Sequence, residues 1–158
     1  LAFLDEQIAQ LESQIHDHID RHPDLRQDKD LLTSIPGIGD KTAARLLGEL
    51  PDLASFRSSS QLVAYAGLSP RNHHSGSSVH RPGRLTHIGK RSIRRILFLP
   101  ALVAQRHNPI IRAQKKRLQE KGKKKMTMVG AAMRKLLQLV YGVLKSRKPF
   151  DPNFAANA

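Results

Sequence analysis

The chain opens with five apolar residues spaced alternately three and four apart, at Leu1, Leu4, Ile8, Leu11 and Ile15. Such spacing is typical of the a and d positions of a heptad repeat. We predict that residues 1–22 form a coiled-coil helix. Because the pattern begins at the first residue, we expect this coiled coil to be truncated at its N-terminus. The alternative is an amphipathic helix packed against its own domain.

Further segments of helical periodicity follow, separated by Pro- and Gly-containing breaks. They predict helices at about 26–34, 60–66, 90–105, 109–120 and 126–146, and no segment shows the alternation of a strand. We therefore predict an all-α fold, with a helical domain at 26–148 and an irregular tail at 149–158. The helix at 90–105 is expected to bury an apolar set: Ile93, Ile96, Leu97, Leu99 and Leu102. The last helix is apolar enough to be central.

The segment Ile35-Pro36-Gly37-Ile38-Gly39 is typical of the turn of a helix-hairpin-helix, which we place at residues 26–50. Its two glycines supply the positive φ angles of a tight turn, and Asp40 is expected to cap the following helix. The backbone N–H groups of such a turn bind nucleic-acid phosphates, so we predict nucleic-acid contacts at Gly37, Gly39 and Lys41. A purely structural helical hairpin is the alternative.

Charge is distributed very unevenly along the chain. Residues 1–30 carry a net charge of −5, whereas 21 basic residues and a single acid, Glu120, lie between Arg71 and Lys148. Such a basic body favours a polyanionic partner, nucleic acid first and an acidic membrane surface second. The absence of cysteine excludes disulfides, thiolate-bound zinc and a thiol nucleophile, and fits a reducing cytosol. No apolar window is long enough for a membrane span.

Residues 67–84 form a polar, basic, Gly- and Ser-rich segment that continues into a basic helix. We predict nucleic-acid contacts at seven basic residues of this segment and of the start of the helix: Arg71, Arg81, Arg84, Lys90, Arg91, Arg94 and Arg95. No carboxylate occurs between Asp52 and Glu120, which excludes a two-metal nuclease site or a Ser-His-Asp triad within this segment. No metal site is predicted, because the local histidines have no carboxylate to orient them. A serine attacking a phosphodiester and simple phosphate binding both remain open.

Motifs along the whole chain resemble the C-terminal half of the DEDD transposases of the IS-one-ten type, relatives of the Piv invertase. The matching segments, in order, are 32–39, 65–71, Ser75-Gly76-Ser77-Ser78, 88–91 with Arg94-Arg95, 133–136 and 141–145. The resemblance implies a DNA recombinase of a bacterial insertion sequence, acting in the cytoplasm. It further implies that Ser75 is the nucleophile joined to DNA, and that an RNA encoded by the element guides the reaction.

The same resemblance implies an N-terminal RuvC-like domain, absent from this sequence, in which four acidic residues bind Mg²⁺. No cofactor is expected in the present chain, which on its own is expected to be inactive. A coiled coil between the two catalytic parts implies a homodimer or higher oligomer. The competing hypotheses are a non-catalytic helix-hairpin-helix module that binds DNA or RNA and a structural dimerisation fragment.

Overall fold

The computed structural model describes residues 1–71, 84–85 and 88–153, and most of the residues in this part are helical. Its α-helices are α1 (Ala2–Arg21), α2 (Pro23–Thr33), α3 (Asp40–Glu49), α4 (Ser59–Tyr65), α5 (Arg91–His107), α6 (Pro109–Glu120) and α7 (Lys125–Ser146). A short 3₁₀ helix, Leu53–Ser55, precedes α4. The predicted all-α class is confirmed.

Helix α1 contacts α2 and α3, and only Ile19 among its residues is buried. The seam side chains Leu4, Ile8 and Leu11 are 60%, 54% and 58% exposed. At His22 the backbone is extended and the chain turns into α2. We predicted that α2 starts near residue 26, which is wrong: it begins at Pro23. A proline at the first helical position loses no hydrogen bond, so it starts this helix.

The core surrounds α7, which packs against α2, α4, α5 and α6. Leu136, Leu137 and Val140 of α7 are fully buried, and burying each such side chain is worth about 1.5–3 kcal/mol. The prediction that α7 is central is therefore confirmed.

Helix α5 faces this core with Ile93, Ile96 and Leu97, as predicted. The prediction was wrong for Leu99 and Leu102, which are 67% and 38% exposed. The buried stripe continues instead through Pro100, Ala101 and Ala104 on the same side of the helix.

Two very short strands are present, although no segment of the sequence shows the alternation of a strand. β1 (Pro70–Arg71) pairs antiparallel with β2 (Arg84–Leu85), and Pro70 lies opposite Leu85. Two residues are too few to produce a visible alternation of polar and apolar side chains. The pair brings together the two ends of the intervening segment, 72–83.

After α7 the chain returns along α2. Arg147, in a left-handed conformation, donates hydrogen bonds to Asp28 and Gln27, and the Phe150 amide donates to the Ser34 hydroxyl. Residues 148–153 lie outside helices and strands. None of the helices in the described ranges has both the length and the apolar character needed to cross a bilayer.

Candidate nucleic-acid interface

The turn between α2 and α3 packs tightly against the end of α5. Gly37 has a φ of +111°, and a Cβ built on it would lie 2.7 Å from the Cβ of Ala104. The fully buried Asn108 donates from Nδ2 to the Pro36 carbonyl at 3.3 Å, while its Oδ1 accepts from the amides of Ile110 and Ile111. Gly37 is therefore required for a close approach to α5 as well as for the turn itself.

The N-terminus of α3 faces open space. Gly39 is its N-cap residue, no side chain caps it, and nothing lies within 4 Å of a Cβ built there. The prediction that Asp40 caps this helix is wrong: Asp40 is the first helical residue, and it lies 3.8 Å from Lys29 Nζ. Lys41, predicted to contact nucleic acid, is largely exposed, and its Nζ lies 2.8 Å from a carboxylate oxygen of Glu12.

The base of segment 72–87 is fixed by a backbone contact between two glycines. Gly89 has a φ of +135°, and a Cβ built on it would lie 2.4 Å from the amide nitrogen of Gly67. Beside this contact, the Lys90 amide donates to the Tyr65 carbonyl at 2.8 Å. Together with the β1–β2 pair, this contact attaches both ends of the segment to the end of α4.

An ion pair reinforces the same base. Lys90 Nζ donates to the backbone carbonyl of Glu49 at 2.8 Å and lies 3.0 Å from its Oε2. The Ser92 hydroxyl donates to the same carboxylate oxygen at 2.8 Å. The hydrogen bonds from Lys90 and Ser92 hold the pKa of Glu49 below its ordinary value, and the bond to Glu49 raises the pKa of Lys90. Lys90, predicted to contact nucleic acid, is thus engaged within the protein.

Next to this base, the first turns of α5 present three arginines on its surface. Arg91, Arg94 and Arg95 line a cleft of about 540 Å³ together with Phe98 and Met133. Arg94 Nη1 donates to the Ala66 carbonyl at 2.9 Å, which attaches this guanidinium to the end of α4. The structure therefore brings together three of the predicted cations beside the stem of the segment that carries Ser75.

The remaining predicted site residues belong to that segment. Ser75 and Arg81 lie outside the described residues, as do the four histidines of residues 72–87. Arg71 and Arg84 are placed by their backbones, which are directly paired between β1 and β2.

Comparison with known proteins decides the family. Residues 29–116, more than half of the chain, match the family described as "Transposase IS116/IS110/IS902 family". This chain belongs to that transposase family. A similar protein is the "Pilin gene-inverting protein" of Moraxella bovis, 41% identical over 145 residues, which are 91% of this chain and 45% of the relative.

Two insertion-element proteins are also similar to this transposase-family chain. The "Insertion element IS110 uncharacterized 43.6 kDa protein" of Streptomyces coelicolor is 32% identical over 162 residues, covering 99% of this chain and 39% of the relative. The "Insertion element IS900 uncharacterized 42 kDa protein" of Mycobacterium paratuberculosis is 29% identical over 153 residues, covering 94% and 36%. The chain thus spans less than half the length of these relatives.

The transposase-family chain contains a second concentration of positive charge, which the predicted site residues did not include. Lys121, Lys123, Lys124 and Lys125 are all exposed at the turn between α6 and α7. The charge run in the sequence was the available signal for them. Phe98 was missed as well, because a single aromatic residue within a helix gives no local sign that it borders an arginine cleft.

Metal chemistry finds little support in the described part of this transposase-family chain. Within it, no group of three or more His, Asp or Glu side chains is placed to hold an ion. Glu49, whose carboxylate contacts the start of α5, already accepts from Lys90 and Ser92. These residues do not fit a Mg²⁺ site.

Proposed function

We propose that this chain is the nucleic-acid-binding and strand-joining part of a DNA transposase or site-specific recombinase. The family match over residues 29–116 is the observation that carries this proposal. A relative named for inverting a pilin gene supports recombination as the reaction, and insertion-element relatives support a mobile DNA element as the context. We propose the bacterial cytoplasm as the place of action.

Binding would be driven by the basic surface. Arg91, Arg94 and Arg95 line one cleft, and the lysines of the α6–α7 turn are exposed on the helical body. Neutralising phosphates releases counterions, so affinity for DNA should fall by about 0.7–0.9 log units per phosphate contact for each log unit of salt. Changing Lys123, Lys124 and Lys125 to Gln should reduce that slope. Binding that is independent of salt would contradict the proposal.

The proposed chemistry is attack by Ser75 on a DNA phosphodiester. The Ser75 Oγ forms a bond to phosphorus, and the bond from phosphorus to the leaving sugar oxygen breaks. The hydroxyl proton passes to a base, and the leaving oxygen takes up a proton as it departs. The product is a phosphoserine ester, and the reverse attack by a sugar hydroxyl rejoins the strand. Arginine guanidiniums stabilise the charge that develops on the phosphoryl oxygens.

Two features support Ser75 as the nucleophile. The Ser-Gly-Ser-Ser motif resembles the family pattern, and the segment that carries it is attached at both ends beside the arginine cleft. From the family resemblance, the acidic residues that would bind Mg²⁺ are proposed to lie in a RuvC-like part outside this chain.

The exposed seam of α1 supports a coiled-coil homodimer as the working assembly. Four of its apolar residues are at least half exposed, which is costly for a helix without a partner: Leu4, Ile8, Leu11 and Ile15. An RNA encoded by the element is proposed as the guide that selects donor and target DNA. The basic surface suits RNA as well as DNA.

The decisive experiment uses the full-length protein with Mg²⁺, the element's RNA and supercoiled target DNA. A covalent protein–DNA adduct is expected on a denaturing gel, and Ser75→Ala should abolish it while leaving nucleic-acid affinity nearly unchanged. Ser77→Ala and Ser78→Ala are matched controls in the same motif and should be milder. An adduct that persists in Ser75→Ala would refute the nucleophile and favour a non-catalytic binding module.

A further inference from the structure

The cleft on α5 that is lined by arginines also contains two apolar side chains, which would have no role in binding a phosphate. Arg91, Arg94 and Arg95 supply positive charge, but the remaining lining residues are Phe98 and Met133. Phe98 is 38% exposed, whereas Met133 is 6% exposed. The cleft is therefore lined by a partly exposed aromatic side chain and a buried apolar one, and its charged lining residues are all arginines.

The arginines differ in how they are held. Arg94 is fixed by its bond to the Ala66 carbonyl, and Arg91 and Arg95 are exposed one helical turn apart on α5. No carboxylate lines this cleft, although Arg91 and Arg95 also border a second cavity that is lined by Glu12 and Glu49. An anion in the cleft meets no acidic side chain of the cleft itself, and Phe98 lines the same cleft.

We propose that this cleft binds an unpaired nucleotide of a single-stranded nucleic acid, with the base stacked on Phe98 and the adjoining phosphates on Arg91 and Arg95. The proposal rests on the proposed nucleic-acid-binding function and adds to it a subsite for a single-stranded ligand. Basic grooves with stacking aromatic side chains are the common way of binding single strands.

The chemistry of Phe98 decides between single strand and duplex. A base in a duplex has both faces covered by its neighbours and presents only its edges, which are read by hydrogen bonding. A phenyl ring forms no conventional hydrogen bonds, and in a duplex it reaches only a thymine methyl or must unstack a base step, whereas an unpaired base offers its whole face. The cleft should therefore prefer unpaired nucleotides and discriminate little among bases.

The chain contains no tryptophan, so Phe98→Trp places a single fluorophore in the cleft. Saturating oligo-dT is expected to quench its emission through stacking. Leu102→Trp is the matched control, because Leu102 lies one turn further along α5, has the same 38% exposure and does not line the cleft. Its emission should change much less at equal saturation.

Affinity gives an independent measurement on a less disruptive variant. Phe98→Leu keeps an apolar side chain but removes the ring, and should weaken binding of oligo-dT at least about fivefold, since stacking one base is worth about 1 kcal/mol or more. Duplex affinity should remain within twofold. Arg95→Gln should weaken both ligands and lower the salt slope by about one phosphate contact. If Phe98→Trp does not fold, a 2-aminopurine strand bound to the parent and to Phe98→Leu replaces it, with quenching expected only for the parent.

The outcomes separate the two proposals. Quenching confined to Phe98→Trp, together with selective loss of single-strand affinity in Phe98→Leu, supports the subsite. Equal losses for single strand and duplex, or unchanged oligo-dT affinity in Phe98→Leu, overturn the subsite and leave nucleic-acid binding in place. Failure of the parent chain to bind either ligand at low salt overturns the proposed function as well.

Discussion

Replacing Gly89 with Ala tests how the base of segment 72–87 is held. The new Cβ would lie 2.4 Å from the amide nitrogen and 2.7 Å from the Cα of Gly67, and 2.7 Å from the Tyr65 carbonyl oxygen. All three are backbone atoms, so no side-chain rotation can relieve the clash. The φ of +135° at Gly89 adds a conformation that an alanine rarely adopts.

The expected cost follows from these separate effects. Backbone strain in a conformation of this kind costs about 1–3 kcal/mol. Separating the two turns would also sacrifice the hydrogen bond from the Lys90 amide to Tyr65, worth about 0.5–1.5 kcal/mol. The turn can detach to relieve part of the strain, at the cost of its hydrogen bond. We therefore expect the free energy of unfolding to fall by about 2–4 kcal/mol in total, which is a large share of the stability of a domain.

Urea unfolding followed by helical circular dichroism measures this loss. With a slope of about 2 kcal/mol per molar urea, the midpoint should fall by about 1–2 M. Gly142→Ala is the matched control, because Gly142 lies inside α7 with nothing within 4 Å of a built Cβ. That substitution should stabilise by about 0.5–1 kcal/mol. A Gly89→Ala midpoint equal to that of the parent, with Gly142→Ala raised as expected, would refute the reasoning.

Three further predictions follow from other contacts. Asn108→Ala removes the cap of α6 and the hydrogen bond to Pro36, and should lower the free energy of unfolding in urea by about 2–4 kcal/mol. Asn108→Ser keeps a capping oxygen and should lose about half as much stability. A loss below about 1 kcal/mol for Asn108→Ala would contradict this account. Because the pKa of Glu49 is lowered in the folded protein, its ion pair stabilises the fold above the ordinary glutamate pKa of about 4.3, and this stabilisation is lost as the pH falls below that value. The difference in urea midpoint between the parent and Glu49→Gln should therefore shrink at acid pH and in high salt. A difference that grows towards low pH would contradict this prediction. The double variant Leu4→Asp with Leu11→Asp should leave the urea midpoint of the body unchanged, because both side chains are more than half exposed, but it should shift the protein to a monomer in sedimentation. The control Gln10→Asp with Ser13→Asp, which lies off the seam, should not cause this shift. A monomeric parent would count against the coiled coil.

Sequence patterns were most successful where a helix carries a long apolar stripe. The predicted bounds of α6, 109–120, agree with the structure, and α7 differs by one residue. Ser58 caps α4 by accepting a hydrogen bond from the Gln61 amide. These features depend on neighbours within about four residues, which is the range over which periodicity and capping operate.

Features that depend on distant partners were not predictable in this way. The exposure of Leu99 and Leu102 depends on which side of α5 meets α7, and periodicity along α5 leaves that choice open. Lys90 belongs to a basic run, yet it pairs with Glu49, 41 residues earlier. Gly37 was attributed to the turn alone, although Ala104 from a distant helix determines the space around it. The candidate site was therefore located by composition and motif, while the internal partners of its residues required the fold.

The β1–β2 pair and the Gly67–Gly89 contact have a consequence for how this family can diversify. They close the stem of the intervening segment through backbone atoms, so the closure itself does not depend on the side chains between the strands. The entropy of closing such a segment grows only logarithmically, by about 0.6 kcal/mol for each doubling of its length. We expect changes of length between Arg71 and Arg84 to cost little in closure entropy, so that selection on this stretch would reflect the proposed DNA chemistry more than closure of the stem.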